Sequence, residues 1–224
     1  ALSFMLQGLT KPVIFTGSQI PLSQPRTDAT NNLLNAIEFA RTPALKEVCI
    51  CFDGLLLRGN RAKKVSTSSL GAFDSPNLAP LGSAGIHLTY HPASDFNAPS
   101  EHQFLIPEFS HQVSQLSLYP GISDLQLDAA LCDPNIKGVI MLSYGAGNPP
   151  DENQHLIRRL TEARQRGVII INLTLCPTGR VIQGAYATGE KLNQLGVIPG
   201  ADMTLEAAFT KLHFLLASDL STQE

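Results

Sequence analysis

The chain has 224 residues, 43% of them hydrophobic and 16% charged, and carries a formal net charge of -3. That length can bury one large core or two small ones, and the slightly acidic balance leaves no basic face to neutralise many phosphates. Nucleic acid is therefore excluded as a main partner, a small metabolite is the better expectation, and no run of roughly 18 or more apolar residues predicts a membrane helix.

The first residues, ALSFMLQGLTKP, have the apolar spacing of the end of an amphipathic helix already under way. No signal peptide is visible. Residues 12–16 (PVIFT) read as a short strand, and residues 30–40 as a helix with Leu33, Leu34, Ile37 and Ala40 on one apolar face and Asp28 or Thr30 as N-cap. EVCICFDGLLLRG, residues 47–59, reads as a hairpin turning at Asp53-Gly54. Residues 91–112 are rich in proline, serine and histidine and hold no period, so a linker is placed at 99–112, between domains of residues 1–98 and 113–224.

Beyond the linker the period changes to strand, helix, strand, helix, strand: VSQLSLYPG, SDLQLDAALCDP, GVIMLSYG, DENQHLIRRLTEARQRG and GVIIINLT. Short joins between alternating elements predict a parallel sheet, and unbroken apolar strands fit burial on both faces. A last helix is expected over residues 203–217. The fold class is thus α/β with two domains, the second built on the parallel sheet.

In such a sheet ligands sit beyond the carboxyl ends of the strands, here the loops around residues 119–123, 143–148 and 174–179. The glycines of SYGAGN admit a close backbone approach, but Pro149 and Pro150 stand where a dinucleotide fingerprint needs free amides, which argues against NAD or FAD. Asn148, just before Pro149, reads as a helix N-cap or as a substrate contact. Cys49, Cys51, Cys132 and Cys176 form no CxxC pair and no zinc spacing, which fits a reducing cytoplasm. Cys176 matches neither a nucleophile elbow nor a phosphatase loop and reads as a loop or buried cysteine. Lys64 lies in a basic cluster with Arg58, Arg61 and Lys63, which reads either as a wet face or as a functional lysine aimed from a rigid sheet among Ser66, Thr67, Ser68 and Ser69.

Taken in order, KPVIFTGSQIPL (11–22), TNNLLNAIEFA (30–40), LLRGNRAKKV (56–65), FDSPNLAPLGSAGI (73–86), LYPGIS (118–123), SYGAGN (143–148), AYATG (185–189) and GADMTLEAAFTKLHFLL (200–216) resemble the bacterial type I, cytoplasmic L-asparaginases. The resemblance implies a two-domain asparaginase-like fold, of which this chain holds an incomplete N-terminal α/β domain and the C-terminal one. It further implies a cytoplasmic homodimer or homotetramer that hydrolyses L-asparagine to L-aspartate and ammonia with no metal or cofactor.

In that family a threonine of a T-G-G-T-I loop attacks the side-chain amide carbon, and a threonine and aspartate of an H-G-T-D-T segment form a relay with a lysine that matches Lys64. Asn148 matches an asparagine that reaches the substrate of the neighbouring subunit, and Ser18 a position whose backbone borders the amide pocket. Thr174 and Cys176 match positions of a regulatory asparagine site in some members, whose arginine aligns with Leu142. T-G-G-T-I and H-G-T-D-T do not occur in the 224 residues and are expected before Ala1, and the C-terminus stops short of the family's usual tail. The expectation is a fragment that is inactive alone. The alternatives are a non-catalytic remnant acting as a regulatory partner, or a small-metabolite binding module.

Overall fold

The computed structural model describes residues 1–92, 103–104, 106–109, 112–150, 153–184 and 187–218. The chain forms two compact units, Ala1–Ile106 and Pro107–Glu224. Half of the expected linker, residues 99–112, lies outside the described residues.

The first unit runs α1 (Leu2–Met5), β1 (Leu6–Gln7), β2 (Val13–Phe15), α2 (Ala29–Ala40), β3 (Val48–Phe52), β4 (Leu55–Arg58), β5 (Lys63–Lys64), β6 (Phe73–Asp74), β7 (Gly82–Ala84), β8 (Leu88–Tyr90) and β9 (Gln103–Phe104). Its main sheet has the order β2-β3-β4-β7-β8; β2 and β3 are parallel and the remaining pairs antiparallel. The hairpin between β3 and β4 forms as expected. Asp53 (φ 47°) and Gly54 (φ 73°) both take the left-handed conformation that the tight two-residue turn requires.

Cys49 and Cys51 point to one side of β3 and are fully buried with Phe39, Leu45 and Leu56. Burial pushes their thiols up to about 12 and about 11, respectively, so both are inert apolar side chains at neutral pH. Beneath the sheet's start, the buried Glu47 carboxylate accepts from Arg58 Nε at 2.5 Å and from a terminal guanidinium nitrogen at 3.1 Å.

Helix α2 corrects one expectation. The face turned to the sheet is Asn32, Ala36 and Phe39, whereas Leu33, Leu34 and Ile37 are exposed. Asn32 is buried because its amide is fully used: Nδ2 donates to Gly17 O (2.9 Å) and Asp28 Oδ2 (3.1 Å), and Oδ1 accepts from Asp53 N (2.9 Å). Asp28 stands at the N-cap position but caps nothing with its side chain, its carboxylate being turned to the loop after β2.

The second unit comprises β10 (Gln112–Ser117), α3 (Asp124–Leu131), β11 (Ile136–Ser143), α4 (Gln154–Gln165), β12 (Ile169–Thr174), α5 (Ala187–Gln194), β13 (Ile198–Pro199) and α6 (Leu205–Ala217). Its four strands lie in the order β10-β11-β12-β13, all parallel. Val139 and Met141 of β11 join Leu127, Leu131, Leu156 and Leu160 of α3 and α4, while Ile140 and Leu142 face Ala208 and Leu212 of α6. Helices thus cover both faces, which is why β11 is apolar without interruption. No described helix is long and apolar enough to cross a membrane.

Helix α3 is capped by Ser123, and α6 by Thr204, which accepts from Ala207 N at 3.2 Å. Between α3 and α4, Asp128 accepts from Arg159 Nε (2.7 Å) and a terminal Arg159 nitrogen (3.1 Å) and lies 2.7 Å from His155 Nε2. Hydrogen bonds from Arg159, then from His155, hold the Asp128 carboxyl below its ordinary range.

Candidate functional site

In the first unit the expected residues converge at the end of β2. The loop that follows carries Thr16, Gly17, Ser18 and Gln19, and Asp28 shapes it by accepting from Gln19 N (3.0 and 3.1 Å) and Ile20 N (2.9 Å). Burial pushes the Asp28 carboxyl up, but these two amides, with Asn32, outweigh it and leave the group below its ordinary value. The carboxylate is an ionised anchor for the loop.

Lys64 sits on β5, paired with Phe73 of β6, and its side chain is exposed. Its ammonium donates to Gln19 Oε1 at 2.8 Å and lies 5.2 Å from the centre of the Phe73 ring, which packs on Phe52. Gln19 Nε2 in turn donates to Ser69 O at 3.0 Å. Lys64 is thereby held at the loop that contains half-buried Ser18, through a glutamine that sequence reasoning passed over. Of the nearby hydroxyls, Ser66 Oγ accepts from Ser68 N and Ser69 N and so folds its own loop. Among the described residues no carboxylate forms an ion pair with Lys64. A cavity of about 260 Å³ elsewhere in this unit is lined by Gln7, Glu47, Arg58 and Asn60 among others, and by none of the expected site residues.

In the second unit the loop beyond β11 is closed on itself. Tyr144 N donates to Asn148 O (3.0 Å) and Asn148 N to Tyr144 O (2.9 Å), so Asn148 ends a tight turn. The capping expectation for Asn148 does not hold: α4 starts at Gln154, and Asn153 caps it by accepting from Leu156 N at 2.8 Å. Thr174, at the end of β12, donates from Oγ1 to Gly145 O at 2.6 Å and accepts from Cys176 N at 3.0 Å. Thr174 therefore touches the Asn148 loop, while Cys176 is exposed on the neighbouring loop. Leu142, one residue before Ser143, packs in the apolar cluster beneath α6.

Residues 1–95 match the model of the asparaginase N-terminal domain, and residues 112–224 that of the glutaminase/asparaginase C-terminal domain. The chain belongs to the asparaginase family. It is 45% identical over 228 residues to L-asparaginase 1 of Escherichia coli K12, an alignment that covers 100% of this chain and 65% of that protein. The crystal structure of L-asparaginase I from Vibrio cholerae superposes with a TM-score of 0.87 at 42% identity, covering 100% of this chain and 66% of that one. A human protein described as a 60 kDa lysophospholipase is 40% identical over 96% of this chain and 37% of its own length. The asparaginase-like two-domain α/β fold, with its parallel sheet in the second unit, is the fold of this chain. It spans 65% of the length of the Escherichia coli relative.

Proposed function

We propose that this chain supplies the lysine and the substrate-contacting asparagine of an L-asparagine amidohydrolase, which converts L-asparagine and water to L-aspartate and ammonia. The observation that carries the reading is the placement of Lys64 against Gln19 of the TGSQ loop, within a chain 45% identical to an L-asparaginase over its whole length.

In this reading a threonine hydroxyl outside the sequence motifs present here attacks the side-chain amide carbon. The Thr Oγ–carbon bond forms, the carbon–nitrogen bond breaks, ammonia leaves with the transferred proton, and water then cleaves the ester to aspartate. In the relay the hydroxyl gives its proton to the Lys64 amine, and the ammonium so formed stabilises the relay carboxylate and passes the proton on to the leaving nitrogen, a task that suits a flexible side chain with three donors. Ser18 lines the amide pocket through its backbone. Asn148 contacts the substrate held by a second subunit, so the active form is a homodimer or homotetramer in the cytoplasm. Residues 1–98 and 113–224 act as its two domains, joined by 99–112.

Thr174 and Cys176 match the effector positions of some family members. Thr174 spends its hydroxyl on Gly145 O and Cys176 N, and Leu142 is buried among aliphatic side chains, so a carboxylate ligand finds no charged partner at Leu142. The alternative reading is a non-catalytic regulatory partner. Ammonia release from asparagine by the gene product containing this chain separates the two: turnover supports the hydrolase, and tight oligomerisation without turnover supports the partner.

A further inference from the structure

Asn172 is an amide in the middle of the apolar run IIINLT, and both it and Ser143 are 0% exposed. A buried amide in a strand whose neighbours are aliphatic is costly unless every hydrogen-bonding atom is used. Its use is specific. Asn172 Nδ2 donates to Gly147 O at 2.9 Å, and Oδ1 accepts from Ser143 Oγ at 2.6 Å. The carbonyl of Gly147 can only accept, so the amide has one chemically sensible orientation, which leaves Oδ1 for the Ser143 hydroxyl.

The atom that Asn172 grips is the carbonyl joined by one peptide bond to the nitrogen of Asn148. Gly147 has φ 109°, a conformation that strains other residues, and a Cβ there would stand 2.6 Å from Val181 Cγ1 and 3.1 Å from Asn172 Nδ2. The loop is therefore pressed against Asn172 at its one carbonyl that fixes the plane of the 147–148 peptide. Thr174, half-buried, holds the other side through the exposed Gly145 O.

We infer that Asn172 and Ser143 are positioning residues that set the direction in which Asn148 leaves its loop, an inference that rests on the proposed substrate contact of Asn148. Neither residue touches substrate. Their effect passes through a single rigid peptide, and misplacement of a contacting group by about 1 Å is enough to cost up to about a hundredfold in rate.

The test is a double-mutant cycle on the gene product containing this chain, reading KM and kcat for asparagine. Asn172→Leu keeps the branched shape and removes the grip on Gly147; KM is expected to rise about tenfold with a smaller change in kcat. In an Asn148→Ala background the same substitution should add less than about twofold, because the group it positions is gone. Amide hydrogen exchange at Gly147 and Asn148 should accelerate in Asn172→Leu while exchange in β11 does not. If Asn172→Leu fails to fold, Ser143→Ala, which deletes one hydroxyl at a strand end, carries the same cycle. Unchanged KM in a folded Asn172→Leu protein, or effects of Asn172→Leu and Asn148→Ala that multiply, would overturn the inference and leave the Asn148 reading intact. Normal kinetics in Asn148→Ala alone would overturn both.

Discussion

Lys64 Nζ donates to Gln19 Oε1 at 2.8 Å across 45 residues of sequence, tying the short strand β5 to the loop after β2. The same glutamine donates to Ser69 O, so its amide is oriented from both ends. Lys64 is nevertheless exposed and its charge is not part of the core. Lys64→Met, which keeps an aliphatic stem over Phe73, is expected to change stability by no more than about 0.5 kcal/mol. Thermal unfolding of the variant measures this, and a large loss would make Lys64 a structural residue.

Arg58 and Glu47 behave oppositely. Glu47 is 6% exposed, and its carboxylate is met by Arg58 at 2.5 and 3.1 Å. Removing one partner leaves an uncompensated buried charge, so Arg58→Met should destabilise the first unit by about 3–5 kcal/mol. The double variant Arg58→Met, Glu47→Leu should recover much of that loss, as chemical denaturation of the three proteins would reveal.

Acid should loosen the α3–α4 contact. The Asp128 carboxyl is held below its ordinary value of 3.8 by Arg159 and His155, so its contribution to stability is fully present above that value and is lost as pH falls through the lower folded-state value. The melting-temperature advantage of the natural protein over Asp128→Asn should therefore be constant near neutrality and shrink below about pH 4. An advantage that grows on acidification would contradict the assignment.

Effector control should be absent. With Leu142 buried under α6 and the Thr174 hydroxyl already engaged, turnover against asparagine concentration is expected to be hyperbolic, with a Hill coefficient of about 1. A sigmoidal curve abolished by Thr174→Val would show that a regulatory site is built without the charged grip.

Where local chemistry dominates, the sequence was a sufficient guide. Asp53-Gly54 is a turn because both residues tolerate positive φ, and the uninterrupted β11 is a covered strand because only burial on two faces favours such a run. Helix α2 shows the limit. Its leucines and Ile37 carry the apolar periodicity, yet the inward position went to Asn32, whose three partners come from residues 17, 28 and 53. A polar residue that becomes buried through distant partners leaves no periodic trace. Gln19 leaves no trace for the same reason, and the capping alternative for Asn148 fails because proline after asparagine mimics a helix start that lies instead at Gln154. The strands β5 to β8 and β13 are too short for alternation to register.

The central claim is tested most directly by ammonia release from L-asparagine with the gene product containing this chain and its Lys64→Ala variant. The account predicts that kcat falls by about 10²- to 10⁴-fold, as expected for loss of a proton-relay group, while asparagine still binds and the melting temperature holds. Unchanged turnover by a folded Lys64→Ala protein would contradict it.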